Sequence, residues 1–175
     1  AVQANVERAV RGTLTQTVSD RAAFLDGLFT NRVTRASIIA SRPSLVALLR
    51  ERADDALYRE ALSYLDSGFT ALAIVDADGH ERARAGELSA DDVFAVPIAN
   101  MRAEASLRWA ELFLLRVTTP IRDGSQLVGT VVSEQELDLL SRLQEDVGSI
   151  GRTAEWVLCA PRDDRMACFP RRFAA

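Results

Sequence analysis

The stretch ALAIVDADGHERARAG, residues 71–86, marks the point where the chain changes from helical to strand-like patterning. Its apolar run at residues 71–75 is typical of a short buried strand, and Asp78-Gly79 favours a tight turn into a second extended segment that ends at Ala85. This stretch therefore predicts an antiparallel hairpin.

Upstream of the hairpin, residues 1–42 predict one long helix that ends before Pro43. Such a helix would extend about 60 Å, whereas a compact chain of this length has a radius of gyration of about 16 Å. We therefore expect the helix to project from the body as a stalk or to pack against a second copy. The apolar positions that recur at helical spacing are Val2, Val6, Val10, Leu14, Val18, Leu25, Phe29, Val33 and Ala36.

The remaining patterns predict a second helix and further antiparallel strands. Ser44 is expected to cap the second helix and Gly68 to end it. Helices followed by strands that Asp/Gly turns connect indicate an α+β fold, with a long N-terminal helix and a second helix packed on an antiparallel sheet. The other predicted segments are an edge strand over 93–98, a helical turn over 99–108, strands over 112–121 and 127–133, a helix over 134–146, and a hairpin formed by 155–160 and 166–169.

Composition excludes several functional classes. The chain has 175 residues and a net charge of −4, and no basic patch that would favour nucleic-acid binding. All 21 basic residues are arginine, which removes lysine Schiff-base chemistry and the P-loop lysine, and His80 is the only histidine. No run of apolar residues is long enough to cross a membrane. We expect no catalytic residues, no metal and no cofactor.

The order of these segments resembles the Cache domains, the extracellular PAS-like sensors of bacterial transmembrane receptors. The resemblance rests on the long helix, the hairpin at 71–86, and LFLLRVTTPIRDGSQLVGTVVSEQELDLLSRL at residues 112–143. The tail that begins IGRTAEW at Ile150 resembles the start of the membrane-proximal module of double Cache sensors. The resemblance implies a PAS-like sensor module at 43–145, the distal one of two, and part of a second module at 146–175.

The resemblance also implies a location and a role. It suggests a periplasmic sensor domain of an inner-membrane protein, attached by segments outside this chain. The output module would be a cytoplasmic histidine kinase, diguanylate cyclase or chemoreceptor module. A small ligand would act through the long helix, which is expected to form a homodimer. The alternative is a module of a receptor that binds no ligand and supplies dimer geometry or docks another protein.

Two cysteines near the C-terminus form a candidate disulfide. A two-residue turn at Asp163-Asp164 would set Cys159 directly opposite Cys168, within disulfide reach. The alternative is a pair of buried free thiols, which proteins tolerate well.

The expected ligand region lies along the 112–121 strand and the segment before it. Its candidate binding residues are Arg102, Arg108, Trp109, Arg116 and Ser133. Arginine can clasp a carboxylate through two hydrogen bonds, which suggests a carboxylate-like ligand. Alternatively, Arg116 pairs with an acidic residue on a neighbouring strand, and Arg108-Trp109 is a surface feature. Ala110 stands where the amino-acid-binding members of the family have tyrosine, which argues against an amino-acid ligand.

Overall fold

A computed structural model describes residues 2–145, 157–162 and 165–169 of the chain. The elements in chain order are α1 (Val2–Ala40), α2 (Pro43–Glu51), α3 (Asp54–Leu65), β1 (Ala71–Asp76), β2 (Glu81–Gly86), β3 (Phe94–Pro97), β4 (Glu104–Trp109), β5 (Phe113–Asp123), β6 (Gln126–Glu136), α4 (Asp138–Glu145), β7 (Cys159–Arg162) and β8 (Arg165–Cys168). The fold is α+β, as the sequence predicts.

Helix α1 is the long helix that the periodicity predicts, with 39 residues. Its last two turns bury Val33, Ala36 and Ile39 against the sheet, mainly against β5 and β6. Between residues 12 and 20, every side chain that the structure describes is exposed or half-buried. The C-terminal part of α1 therefore belongs to the core, while the side chains that the structure describes between residues 12 and 20 lie outside it.

The second helix is not continuous, so the prediction of one helix from Ser44 to Gly68 is wrong. Arg42 is the N-cap and Pro43 occupies the first helical position. Proline is tolerated there because an N–H at this position would have no hydrogen-bond partner within the helix. Arg52 then adopts a left-handed conformation with φ of 54° and ends α2. The break allows α2 to pack on β5 and β6 while α3 packs on β1 and β2.

Six strands form one antiparallel sheet in the order β2-β1-β6-β5-β4-β3. The predicted hairpin at 71–86 is confirmed as β1 and β2, and the short strand around Pro97 is confirmed at the edge of the sheet. An edge position tolerates proline because only one side of the strand needs its N–H groups.

Two other predictions along the sheet are wrong. The segment predicted as a helical turn over 99–108 contains β4, in which buried Ala105 and Leu107 alternate with more exposed Glu104 and Ser106. The segment predicted as a helix from Glu134 continues as strand β6 to Glu136, and α4 begins only at Asp138. In both cases pairing with β5 takes precedence over local helical spacing.

The helices cover one face of the sheet. Leu115 and Val117 of β5 point to this helix-covered face and are fully buried. Arg116 lies between them in the strand and points to the opposite face, because successive side chains of a strand alternate between the two faces. The segment 87–92, which connects β2 to the other edge of the sheet, supplies contacts to Arg116 on that second face.

Strands β7 and β8 form a separate hairpin whose register agrees with the predicted one, with Cys159 opposite Cys168. The hairpin is anchored on the main body by Phe169, which is buried. The Phe169 ring centroid lies 5.0 Å from that of Phe94 and 5.4 Å from that of Phe113.

Candidate ligand site

The second face of the sheet carries an ionic cluster centred on Glu134. Its carboxylate is buried, with 1% of the side chain exposed, and Arg116 Nε donates to Glu134 Oε1 at 2.8 Å. Arg116 Nη1 also donates to Asp91 Oδ1 at 2.7 Å, at the surface. The alternative in which Arg116 pairs with an acidic residue on a neighbouring strand is therefore confirmed.

The same cluster attaches the segment 87–92, which connects β2 to the other edge, to the sheet. Ser89 donates from its amide to Glu134 Oε2 at 2.8 Å and from its hydroxyl to Glu134 Oε1 at 2.6 Å. Arg108 donates to Ser89 Oγ at 2.9 Å and to the Ala90 carbonyl oxygen at 2.6 Å. Both guanidinium groups thus donate hydrogen bonds to acceptors of the protein itself. A carboxylate ligand would have to displace these acceptors in order to bind the two arginines.

Burial and neighbouring charge perturb the titration of this cluster. Desolvation is the main cause that lowers the pKa of Arg108, and the positive charge of Arg116 adds to it. The hydrogen bond from Arg116 is the main cause that lowers the pKa of Asp91. These directions fit a structural ion network in which two arginines share one buried carboxylate.

The other candidate residues from the sequence do not join this cluster. Trp109 pairs with Phe113 in the ladder and packs on its ring at a centroid distance of 4.7 Å. Ser133 is fully buried opposite Val117, on the helix-covered face. Arg102 is exposed in the loop before β4 and lines a shallow groove with Glu104 and Thr118. The five residues therefore do not form one site.

The turn between β1 and β2 brings Asp76, Asp78 and His80 together, with potential ligand atoms within 4.8 Å of one another. However, Asp76 Oδ1 accepts hydrogen bonds from the backbone N–H groups of Asp78 and His80. The His80 N–H is the main cause that lowers the pKa of Asp76. This geometry is that of a side chain that shapes a turn.

A larger opening lies on the helix-covered face, between α1, the β3 edge and the β7–β8 hairpin. We call it the apolar cleft. Its volume is about 580 Å³, within the range of roughly 300–1,000 Å³ that is common for small-molecule sites. The sheet contributes Val96, Leu107 and Phe113 to its wall, and the segment after β3 contributes Ile98 and Met101.

Helix α1 forms the longest wall of the apolar cleft. Val18, Ala22, Leu25 and Phe29 line it, and this spacing of three or four residues sets them on one helical stripe. Arg21 and Asp26 also line the cleft, at angles of about −60° and +80° from Val18 on the helix. The two charged residues therefore flank the stripe on opposite sides, and the stripe itself is apolar.

The hairpin forms the facing wall with Leu158, Cys159, Pro161 and Phe169. A disulfide joins Cys159 to Cys168, with a Cα–Cα distance of 4.0 Å. The bond holds β7 and β8 together at the rim of the cleft, so the wall that faces α1 is a cross-linked unit.

The sequence predicts the stripe on α1 but with a different role. Val18, Leu25 and Phe29 are expected there to be part of a continuous stalk stripe, with no connection to the hairpin about 130 residues later. The contact of the Phe169 ring with the rings of Phe94 and Phe113 brings the hairpin to this position. No pattern in the sequence signals that contact.

A scan against protein-family models finds no matching model, and a search of curated proteins finds no significant match. The resemblance to Cache domains therefore stays a prediction. Within the described part of the chain, none of the helices combines the length and the hydropathy that a membrane span requires.

Proposed function

We propose that this chain is the extracytoplasmic sensor domain of a transmembrane signalling protein of the Cache type. The observation that carries the proposal is that α1 contacts both the apolar cleft and the core along its length. One stretch of this helix lines the apolar cleft, and its last turns are buried in the core. A molecule in the cleft would therefore touch the same rigid element that extends away from the core.

The relay follows from this arrangement. Occupancy of the cleft would favour one packing of α1 against the β3 edge and the hairpin, which is a population shift between two arrangements. A helix transmits such a shift along its axis by a translation or rotation of about 1–2 Å. The domain itself carries out no catalysis in this proposal, and the output module is a kinase, a cyclase or a chemoreceptor module on the cytoplasmic side.

Homodimer formation through α1 is part of the proposal. Phe24, Asn31 and Ile38 recur at seven-residue spacing on the outer side of α1, and we call them the outward seam. Phe24 and Ile38 are 45% and 55% exposed. Apolar residues with one polar residue at heptad spacing are typical of a helix pair whose register the polar residue fixes.

A second candidate function is a receptor module that binds no ligand and supplies dimer geometry or docks a partner protein. The ionic cluster favours it, because Arg108, Arg116 and Glu134 satisfy one another without a ligand. The outward seam would then be the functional surface, and the apolar cleft would be a packing defect.

Two experiments test the proposal. Alkaline phosphatase fused after residue 175 in the full-length protein should be active, since this enzyme requires export. Activity of a β-galactosidase fusion at that point instead would contradict the assigned location.

A thermal-shift screen should find a small molecule that stabilises the folded protein, by about 2.7 kcal/mol at a hundred times its dissociation constant. A screen without a stabilising molecule, together with a stable dimer, would favour the ligand-free module.

A further inference from the structure

We propose that the apolar cleft is a binding site for an acyl chain, the extended hydrocarbon part of a fatty-acid-like molecule. As a statement about signalling, this inference rests on the proposed sensor function. As a statement about binding, it rests on the cleft alone.

The size of the cleft is that of a small-molecule site. Its volume is about 580 Å³, within the range of roughly 300–1,000 Å³ that is common for pockets of drug-sized ligands.

The wall chemistry favours hydrocarbon. Leu25 and Phe29 on the helix face Leu107 and Phe113 on the sheet and Leu158 on the hairpin. A polar ligand would lose hydrogen bonds to water here without regaining them from these side chains. Apolar clefts of this kind gain free energy by taking up apolar molecules instead.

The shape of the lining favours a chain rather than a compact ring. The stripe on α1 runs from Val18 to Phe29 and covers about 16 Å along the helix axis. Its flanks carry Arg21 and Asp26, so a polar end group would remain at the rim while the hydrocarbon lies along the stripe. An extended dodecyl chain matches this layout.

The first measurement is calorimetric titration of the full chain with octanoate, decanoate and dodecanoate, each below its critical micelle concentration. Burial of a methylene group in an apolar site increases affinity about fourfold, so each step of two carbons should tighten binding about 15-fold. Absence of dodecanoate binding, or equal affinity for the three chains, would overturn the assignment.

Cleft-filling variants test the location. Ala22 on α1 and Ala99 after β3 both line the cleft and are exposed, so Ala22→Trp and Ala99→Trp should each reduce dodecanoate affinity at least tenfold. Ala23→Trp is the matched control, since Ala23 is exposed on α1 away from the stripe, and it should bind as the wild type does. Unchanged affinity in both cleft variants would place the ligand elsewhere and contradict the inference.

The binding result and the sensor proposal can fail separately. Dodecanoate binding that both cleft variants abolish supports the site, whatever α1 does. If α1 then keeps its position on binding, the relay fails while the site stands. If no chain binds but another molecule moves α1, the acyl-chain inference fails while the sensor proposal stands.

Discussion

At the residue scale, the buried carboxylate of Glu134 holds the second face of the sheet together. It accepts hydrogen bonds from Arg116 and from the backbone and hydroxyl of Ser89. Arg108 Nε approaches the same carboxylate at 3.8 Å. Because two guanidinium groups depend on one buried anion, loss of that anion leaves positive charge that is mostly shielded from water.

We expect Glu134→Gln to lower the free energy of unfolding by about 3–5 kcal/mol, the usual cost of removing one partner of a buried ion pair. Urea denaturation of the wild type and the variant measures this difference in the free energy of unfolding. Asp91→Asn is the control, since Asp91 contacts the same Arg116 with 95% of its side chain exposed, and its effect should be small. Equal stability of the two variants would show that Glu134 does not hold the cluster.

Tyr64 gives a prediction about pH. Burial is the main cause that raises its pKa to about 12, and its hydroxyl donates to Glu60 at 2.9 Å. Unfolded tyrosine has a pKa of about 10, so between pH 10 and 12 the unfolded chain releases a proton that the folded chain retains. The stability contributed by this difference is therefore present below pH 10 and is lost as the pH rises toward 12.

We expect Tyr64→Phe to remove this part of the alkaline loss of stability. Urea midpoints of the wild type should fall more steeply between pH 10 and 12 than those of the variant. Tyr58→Phe changes an exposed tyrosine on the same helix and should keep the wild-type slope. Identical slopes for all three proteins would contradict the assigned role of Tyr64.

Some contacts of single residues could be predicted and others could not. The alternation along β5 predicts that Arg116 needs a partner, and an acidic residue on a neighbouring strand is one stated alternative. The identity of that partner depends on a β-bulge at Ile121/Arg122. Without the bulge, the register of the β5–β6 turn would set Ser133 opposite Arg116; the bulge shifts it to Glu134. Nothing in the sequence identifies the bulge.

At the scale of elements, the break between α2 and α3 decides how the helix layer fits the sheet. Arg52 ends α2 in a left-handed conformation, and its amide donates to the carbonyl oxygens of Leu48 and Leu49. This conformation costs a residue with a Cβ about 1–2 kcal/mol, and glycine adopts it freely.

We therefore expect Arg52→Gly to raise the free energy of unfolding by about 0.5–1 kcal/mol, after allowance for the greater freedom of glycine in the unfolded chain. The same substitution two residues earlier should have the opposite effect. Arg50→Gly lies inside α2 and should cost about 1 kcal/mol. Urea midpoints measure the stability of both variants. A loss of stability in Arg52→Gly would contradict the claim that Arg52 is strained in its left-handed conformation.

Elements with strong local signals could be predicted from the sequence. These are α1 with its sustained period, the β1–β2 hairpin with its Asp-Gly turn, and the register of β7 and β8 around their short turn. Elements whose form depends on distant partners could not. The strand β4 and the end of β6 are set by pairing with β5, and the position of the β7–β8 hairpin is set by Phe169.

At the scale of the whole molecule, α1 combines three surfaces on one helix. Val33 and Ala36 face the core, Leu25 and Phe29 face the apolar cleft, and the outward seam faces solvent. A change at any of these surfaces acts on the same rigid body, which is the physical basis of the proposed relay.

The outward seam predicts a homodimer that a charge on the seam would dissociate. Sedimentation of the wild type should detect dimers, and Phe24→Asp should shift the population to monomers, because a charge in an apolar helix pair is costly. Ser19→Asp introduces the same charge on another side of α1 and should leave the dimer intact. A wild type that stays monomeric at high concentration would contradict this part of the proposal.

The most direct test of the relay is a distance measurement by pulsed electron paramagnetic resonance. Spin labels at Thr15→Cys on α1 and Leu127→Cys near the β5–β6 turn report the position of the helix, while the native cysteines remain in their disulfide. Labelled protein is diluted with unlabelled protein so that only distances within one chain are recorded. Saturating dodecanoate should shift the distance by about 1–2 Å. Superimposable distances with and without bound ligand would contradict the claim that α1 reports the occupancy of the apolar cleft.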